Sequence, residues 1–181
     1  GIDLIAYTSE CMGIKAKEMT YEEAKKNYRA NEINCPDLAA AEQMTQRVLQ
    51  IKDEGDTAGG IITLRIKGVP AGLGEPVFDK LSTLLGHALF SIGAVKGVEF
   101  GAGFKVGHMK GSENNDQFTK VDGKITFKTN HAGGILGGIS TGEEIVARIA
   151  VKPTPTISLK QDSVHMPKME IEELSPITRR D

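Results

Sequence analysis

A lysine and two threonines alternate with two prolines in the stretch Lys152-Pro153-Thr154-Pro155-Thr156. Such a segment can hold a phosphate-bearing anion, because the ammonium supplies charge, the hydroxyls donate hydrogen bonds and the prolines fix the backbone before binding. The same residues are equally typical of an exposed, proline-rich exit from a strand. The residues alone leave these two interpretations open.

Glycine is concentrated in the middle of the chain. Of the 21 glycines, 16 lie between Gly68 and Gly142, interleaved with stretches typical of strands. Glycine lacks a Cβ, so this clustering predicts main chain that comes close either to a ligand or to other main chain. Gly101, Gly103 and Gly107 do not form a dinucleotide fingerprint, because the residues after them predict a strand and not the helix that would bind a pyrophosphate.

His131 is the best candidate for a catalytic histidine, because it lies in a glycine-rich loop, although a bystander role is the more frequent outcome at such a position. The remaining histidines are expected to have packing or surface roles; they are His87, His108 and His165. No histidine or cysteine pair has the spacing of a metal site. The stretch GSENND at 111–116 predicts either a polar loop that orients a ligand or a turn rich in Asx residues.

Length, charge and cysteine content restrict the class of protein. A chain of 181 residues is long enough for one domain, and its formal net charge of −2 argues against a nucleic-acid binder. No apolar run approaches the length that spans a membrane. Cys11 and Cys35 do not make a disulfide framework, so a reducing, cytoplasmic location is expected.

Local patterns predict an α+β fold. A capping box at Thr20 and an N-cap at Asp37 each predict a helix, the second ending at Gly55. Pro76 is suited to the first position of an amphipathic helix that carries a single apolar stripe. Strands are predicted at 4–7, 62–67, 95–100, 104–110, 124–128 and 145–151. The order of these elements predicts a β-α-β unit at about residues 60–101 and a polar tail after residue 158.

Five blocks of this sequence together resemble the chorismate synthase family. They are GVPAGLGEPVFD at 68–79, SIGAVKGVE at 91–99, GSENND at 111–116, NHAGGILGGIS at 130–140 and KPT at 152–154. The resemblance implies helices packed between antiparallel β-sheets and a cytoplasmic homotetramer. It also implies a lyase of the shikimate pathway. This enzyme makes chorismate from 5-enolpyruvylshikimate 3-phosphate by a 1,4-elimination of phosphate. The resemblance further associates the chain with NADP.

Reduced FMN is the cofactor that the resemblance implies, and it lends electron density while the phosphate leaves, without net redox change. The residues that match the family's flavin contacts are Gly93, Ala94, Gly137, Lys152, Pro153, Thr154, Pro155, Thr156 and Arg179. The family usually has Asn at position 93 and often has Ser at position 155. Asp181 falls near the position of the family's aspartate beside the reactive flavin nitrogen, but its surrounding motif differs.

Other blocks of the family are missing from this sequence. The Gly-Glu-Ser-His block, which carries a catalytic histidine and substrate-binding arginines, is absent, and the stretch around Arg179 lacks the family's Gly and His. We therefore expect residues 1–158 to be the central part of a chorismate synthase-like domain and residues 159–181 to be a partly ordered polar tail. Such a fragment is expected to be inactive alone. The alternative is a non-catalytic interaction or assembly module on the same scaffold.

Overall fold

A five-stranded antiparallel sheet organises the chain in the computed structural model, which describes residues 1–174. Its strands are β1 (Asp3–Cys11), β2 (Ile14–Lys15), β3 (Gly60–Lys67), β4 (Val95–Phe100) and β9 (Ile145–Val151), in the spatial order β2-β1-β3-β9-β4. Three two-stranded hairpins lie outside it: β5 (Phe118–Val121) with β6 (Lys124–Phe127), β7 (Ile135–Leu136) with β8 (Ile139–Ser140), and β10 (Gln161–His165) with β11 (Glu170–Leu174).

The helices are α1 (Tyr21–Asn27), α2 (Leu38–Asp53), α3 (Leu81–Phe90) and α4 (Gly111–Asn114), together with a 3₁₀ helix at Gly103–His108. The predicted starts of the first two helices are confirmed. The Thr20 hydroxyl accepts from the N–H of Glu23 while the Glu23 carboxylate accepts from the N–H of Thr20. The Asp37 carboxylate accepts from the N–H groups of Ala39 and Ala40, which satisfies two free donors at the start of α2.

Helices cover both faces of the sheet because side chains alternate along each strand. On one face Ile5 and Tyr7 pack against Tyr21 and Ala24 of α1. On the other face Ile66, Ile145 and their neighbours pack against Leu81 and Leu85 of α3. A third cluster joins Cys11 to Met44 of α2 and to Cys35, both of which are fully buried. The predicted α+β class is confirmed.

The predicted β-α-β unit is present, with one addition that local patterns did not indicate. β3 and β4 are parallel to each other and are joined through α3, but β9 lies between them and pairs antiparallel with both. Val151, at the end of β9, therefore lies opposite Gly60 on one side and opposite Val95 on the other.

Two predicted elements were wrong. Residues 104–110 do not form a strand, because Gly101 and Gly103, with φ of 55° and 58°, turn the chain directly into the 3₁₀ helix. The N–H of Phe104 then donates to the Glu99 carboxylate, which stabilises the turn. Pro76 does not begin a helix, because Val77 follows it at a φ of 66°, and α3 starts only at Leu81.

The apolar stripe of α3 is less buried than its pattern predicted. None of its ten residues is fully buried, and Leu84 and Phe90 expose about half of their side-chain surface, at 49% and 54%. The helix contacts the sheet through Leu81 and Leu85 and leaves its opposite side open among the described residues. The segment predicted as a polar tail contains the β10–β11 hairpin as far as it is described.

Candidate functional site

Three chain segments meet where β9 ends, and they bring together residues that are distant in sequence. The register places the start of β4 and the start of β3 on either side of Val151. Immediately beyond it, the N–H of Lys152 donates to the carbonyl of Ala94 at 2.9 Å. The structure thus joins two of the predicted flavin-binding stretches, residues 93–94 and residues 152–156. We call this place the Ala94–Lys152 junction.

The main chain at the junction borders open space at Gly93 and is strained at Ala94. A Cβ added to Gly93 would meet no other atom within 4 Å, so open space lies beside its main chain. Ala94 has a φ of 70°, a left-handed conformation that costs an alanine roughly 1–2 kcal/mol. Strained backbone of this kind persists only where the surrounding contacts hold it, and it is enriched at ligand-binding sites.

Residues 152–156 are exposed, as both interpretations of the segment required. Their main chain is nevertheless held in place, because the Thr57 hydroxyl donates to the carbonyl of Thr154 at 2.7 Å and the N–H of Ser158 donates to the carbonyl of Gly55 at 2.7 Å. The exposed Lys152 side chain is therefore carried on an anchored backbone. Anion binding by this segment stays a prediction.

Gly137 lies away from the junction. It occupies the turn between β7 and β8, where the neighbouring Gly138 carbonyl accepts from the N–H of Leu81 at the start of α3. Ala94 lies beyond the other end of that helix, and ten helical residues span about 15 Å. A Cβ on Gly137 would also meet no atom within 4 Å, so its main chain borders open space as that of Gly93 does.

Asp116 organises the loop that contains His131. Its carboxylate is almost completely buried, and it accepts from the Thr129 hydroxyl at 2.6 Å, from the N–H of His131 at 2.7 Å and from the N–H of Ala132 at 2.9 Å. Burial opposes the charged form, but these hydrogen bonds outweigh it and lower the pKa of Asp116. The GSENND stretch forms α4 and ends in Asp116, whose carboxylate holds the loop at residues 131–132. This agrees with the prediction of a turn rich in Asx residues.

Replacing Asp116 with asparagine is expected to lower the free energy of unfolding by about 2 kcal/mol at pH 7, because the new amide NH₂ must face an N–H or O–H donor. A pKa lowered in the folded state adds stability above the unfolded pKa, and this stability is lost as the pH falls through the folded value. Urea denaturation of the wild-type protein should thus show an acid-side loss of stability below about pH 4 that is reduced in D116N. Equal pH profiles for the two proteins would contradict this role.

His131 does not lie at the junction. Its carbonyl accepts from the N–H of Ala102, beyond the far end of β4, and a six-residue strand spans about 20 Å. Its ring Nδ1 lies 3.2 Å from the carbonyl of Asn114, and the ring lines a cavity of about 550 Å³ beside Phe100 and Phe104. Within residues 1–174, the hydrogen bonds of His131 go to Ala102, Asn114 and Asp116, and none joins it to the predicted flavin-binding residues.

Many of the clustered glycines pack main chain against main chain. A Cβ on Gly134 would lie 2.6 Å from the carbonyl oxygen of Glu144, and one on Gly133 would lie 2.8 Å from that of Val146. Gly101 is enclosed in the same way by residues 131–133. The glycine cluster therefore contains two populations, one bordering open space and the other filling a close chain crossing.

Cysteine chemistry and metal binding find no support among residues 1–174. Burial raises the pKa of the Cys11 and Cys35 thiols, which are both free and buried and hence poor nucleophiles. Within this range no group of three or more His, Cys, Asp or Glu side chains converges as a metal site would require. No described helix has the length and apolarity needed to cross a bilayer. Arg179 and Asp181 lie outside the described residues.

Sequence reasoning missed the stretch between α2 and β3. Of residues 55–59, only Gly55 has a sequence-based interpretation, as the end of a helix, yet this stretch approaches residues 151–158 through Gly55, Thr57 and Gly59. The signal is a polar pair, Asp56-Thr57, separated by Ala58 from two glycines, Gly59-Gly60, at which β3 begins. Pairing of β3 with β9 places Gly60 opposite Val151 and so brings residues 55–59 next to the segment after β9.

Comparisons with known proteins find related sequences and a related structure. The chorismate synthase family model matches residues 1–181. Chorismate synthase of Acetivibrio thermocellus is 58% identical over 100% of this chain and 47% of its own length, and that of Methanosarcina mazei is 50% identical over 100% of this chain and 50% of its own length.

A crystal structure of chorismate synthase superimposes with a TM-score of 0.79 at 28% identity, covering 86% of this chain and 50% of that one. The chain spans about half the length of the curated relatives it matches. Because the family model covers the chain from end to end, the chain belongs to the chorismate synthase family.

Proposed function

We propose that this chain supplies part of the flavin site of an enzyme that converts 5-enolpyruvylshikimate 3-phosphate to chorismate by 1,4-elimination of phosphate. The observation that carries the proposal is the Ala94–Lys152 junction. Two stretches that match family flavin contacts, far apart in sequence, share a main-chain hydrogen bond at one edge of the sheet. The match of the family model to all 181 residues supports the same conclusion.

The residues at the junction fit a flavin mononucleotide. Open space beside Gly93 admits a flat ring against bare main chain, and the exposed Lys152 and Thr154 offer an ammonium and a hydroxyl to an anion. Residues 93–94 and 152–156 would hold the cofactor here, with Gly137 as a separate contact at the other end of α3. When bound, reduced FMN supplies electron density to the substrate while the substrate's phosphate leaves.

The chain's own contribution is positioning and charge. Lys152 places a positive charge beside a cofactor and a substrate that both carry phosphate, and it does so from a backbone anchored on Ala94. Pro153 and Pro155 limit the conformations of the segment before binding, which reduces the entropy lost on binding. A preorganised cation of this kind stabilises negative charge without reorganising during the reaction.

Proton transfer and the binding of the substrate's phosphate need groups that the sequence resemblance assigns to family blocks missing from these 181 residues. Proton transfer by a placed side chain typically accelerates a reaction about 10²–10⁴-fold. We therefore propose that the 181-residue chain binds FMN but does not turn over substrate at the rate of a whole family enzyme. A homotetramer and a cytoplasmic location are proposals on the same basis.

Titration with FMN, followed by quenching of flavin fluorescence, should give saturable one-site binding to the 181-residue protein. Under reducing, oxygen-free conditions, chorismate formation from 5-enolpyruvylshikimate 3-phosphate should be at least about 10²-fold slower than with a full-length relative. Absence of saturable binding would refute the flavin site and favour a non-catalytic assembly module. Turnover equal to that of the full-length relative would refute the proposal that these 181 residues lack groups needed for catalysis.

A further inference from the structure

The loop between α2 and β3, residues 55–59, packs against the segment 152–158 and bonds to its main chain. Thr57 Oγ1 donates to the carbonyl of Thr154 at 2.7 Å, and the N–H of Ser158 donates to the carbonyl of Gly55 at 2.7 Å. A Cβ on Gly59 would lie 2.9 Å from the Val151 carbonyl oxygen and 3.0 Å from Pro153 Cδ, so only glycine lets the two segments approach this closely. We call residues 55–59 the support loop.

The contacts of the support loop lie on both sides of Lys152. Gly59 lies close to the chain at positions 151 and 153, while Thr57 bonds to it at 154 and Gly55 bonds to it at 158. On the opposite side, the N–H of Lys152 is fixed to Ala94. The segment is therefore held between β4 and the support loop, although its side chains are exposed.

Thr57 is the only member of this set that acts through a side-chain hydrogen bond. Pro153 and Pro155 have no N–H to donate, so main-chain bonds within the segment are limited, and Thr57 supplies a donor from outside it to the Thr154 carbonyl. Thr57 is half-buried and meets Thr154 across 97 positions of sequence. A hydroxyl in this place fixes the direction in which the segment leaves the sheet.

We propose that Thr57 is a positioning residue, which holds residues 152–156 in the conformation that presents Lys152 to the flavin. This inference rests on the proposed function for the identity of the ligand. That Thr57 fixes the conformation of residues 152–156 does not depend on FMN. Among residues 1–174, the hydrogen bond to the Thr154 carbonyl is the one that joins Thr57 to the proposed cofactor residues.

The test compares T57V, which removes the hydroxyl and keeps the branched shape, with T57S, which restores the donor. Hydrogen exchange of the Lys152 and Ser158 amides should be about three- to tenfold faster in T57V and near the wild-type rate in T57S. FMN affinity should fall by a similar factor and recover in the same way. T119V, in the separate β5–β6 hairpin, is the control and should change neither quantity.

Unchanged exchange of the Lys152 and Ser158 amides in T57V would overturn the proposal, as would equal acceleration throughout α2 and β9, which would show a general loss of stability. Faster local exchange with unchanged FMN affinity would also overturn it, because the segment would then move without affecting the ligand. If the wild-type protein binds no FMN, the proposed function fails, while local exchange still decides whether Thr57 positions the segment.

Discussion

Alanine at position 101 is expected to lower the free energy of unfolding by more than about 4 kcal/mol, which is a large fraction of the stability of an ordinary domain. The new Cβ would overlap the carbonyl oxygen of His131 and the nitrogen of Gly133, and it would lie 2.7 Å from the carbonyl carbon of Ala132. All three are main-chain atoms, so no side chain can rotate away. The φ of 55° adds a further 1–2 kcal/mol for a residue that has a Cβ.

Gly107 provides the matched control for G101A. It lies six residues further along the same glycine-rich stretch, but a Cβ there would meet nothing within 4 Å and its backbone is not left-handed. Urea denaturation followed by far-UV circular dichroism should therefore show a change within about 1 kcal/mol for G107A. Similar losses in the two variants would show that the crossing of residues 101 and 131–133 does not carry this stability.

Elements with strong local signals could be predicted from sequence. The capping box at Thr20 and the N-cap at Asp37 each satisfy free N–H groups within a few residues, so no distant partner is needed to define them. β9 was predicted with its observed bounds, because its run of apolar and β-branched residues is central in the sheet and packs on both neighbours.

Elements that depend on distant contacts could not be predicted in this way. The start of α3 is set by the Gly138 carbonyl, which accepts from the N–H of Leu81, and not by Pro76. The turn into the 3₁₀ helix after β4 depends on residue 131, whose carbonyl accepts from the N–H of Ala102. Local patterns contain neither partner, so they gave a helix start five residues too early and a strand in place of the 3₁₀ helix.

The two glycine populations show the same limit at the site. Gly93 and Gly101 are identical in type and lie in the same glycine-rich block, yet one borders open space and the other is enclosed by main chain. The clustering of glycine predicts main chain that comes close to a ligand or to other main chain, without saying which glycine does which. The resemblance indicates Gly93 as a flavin contact. Only the pairing of β4 with β9 shows that position 93 lies beside Lys152, because that pairing joins Lys152 to Ala94.

Replacing Lys152 with methionine is expected to weaken FMN binding about 10- to 100-fold, because a charge-assisted hydrogen bond to an anion typically contributes 1.5–3 kcal/mol. Stability should stay within about 0.5 kcal/mol of the wild type, since the side chain is exposed and the main-chain bond to Ala94 remains. Fluorescence titration with FMN measures the first quantity, and urea denaturation measures the second.

The salt dependence of binding separates a direct ion pair from a change in loop shape. If the Lys152 ammonium faces the cofactor's phosphate, raising the ionic strength from 0.01 to 0.5 M should weaken FMN binding to the wild type, because salt screens exposed charges. K152M should show a smaller effect of salt. K124M removes one positive charge from the exposed β6 strand, so it controls for net charge and should behave as the wild type. If K152M binds FMN as tightly as K124M and the wild type do, the Lys152 ammonium does not contact the flavin, and its proposed role at the Ala94–Lys152 junction fails.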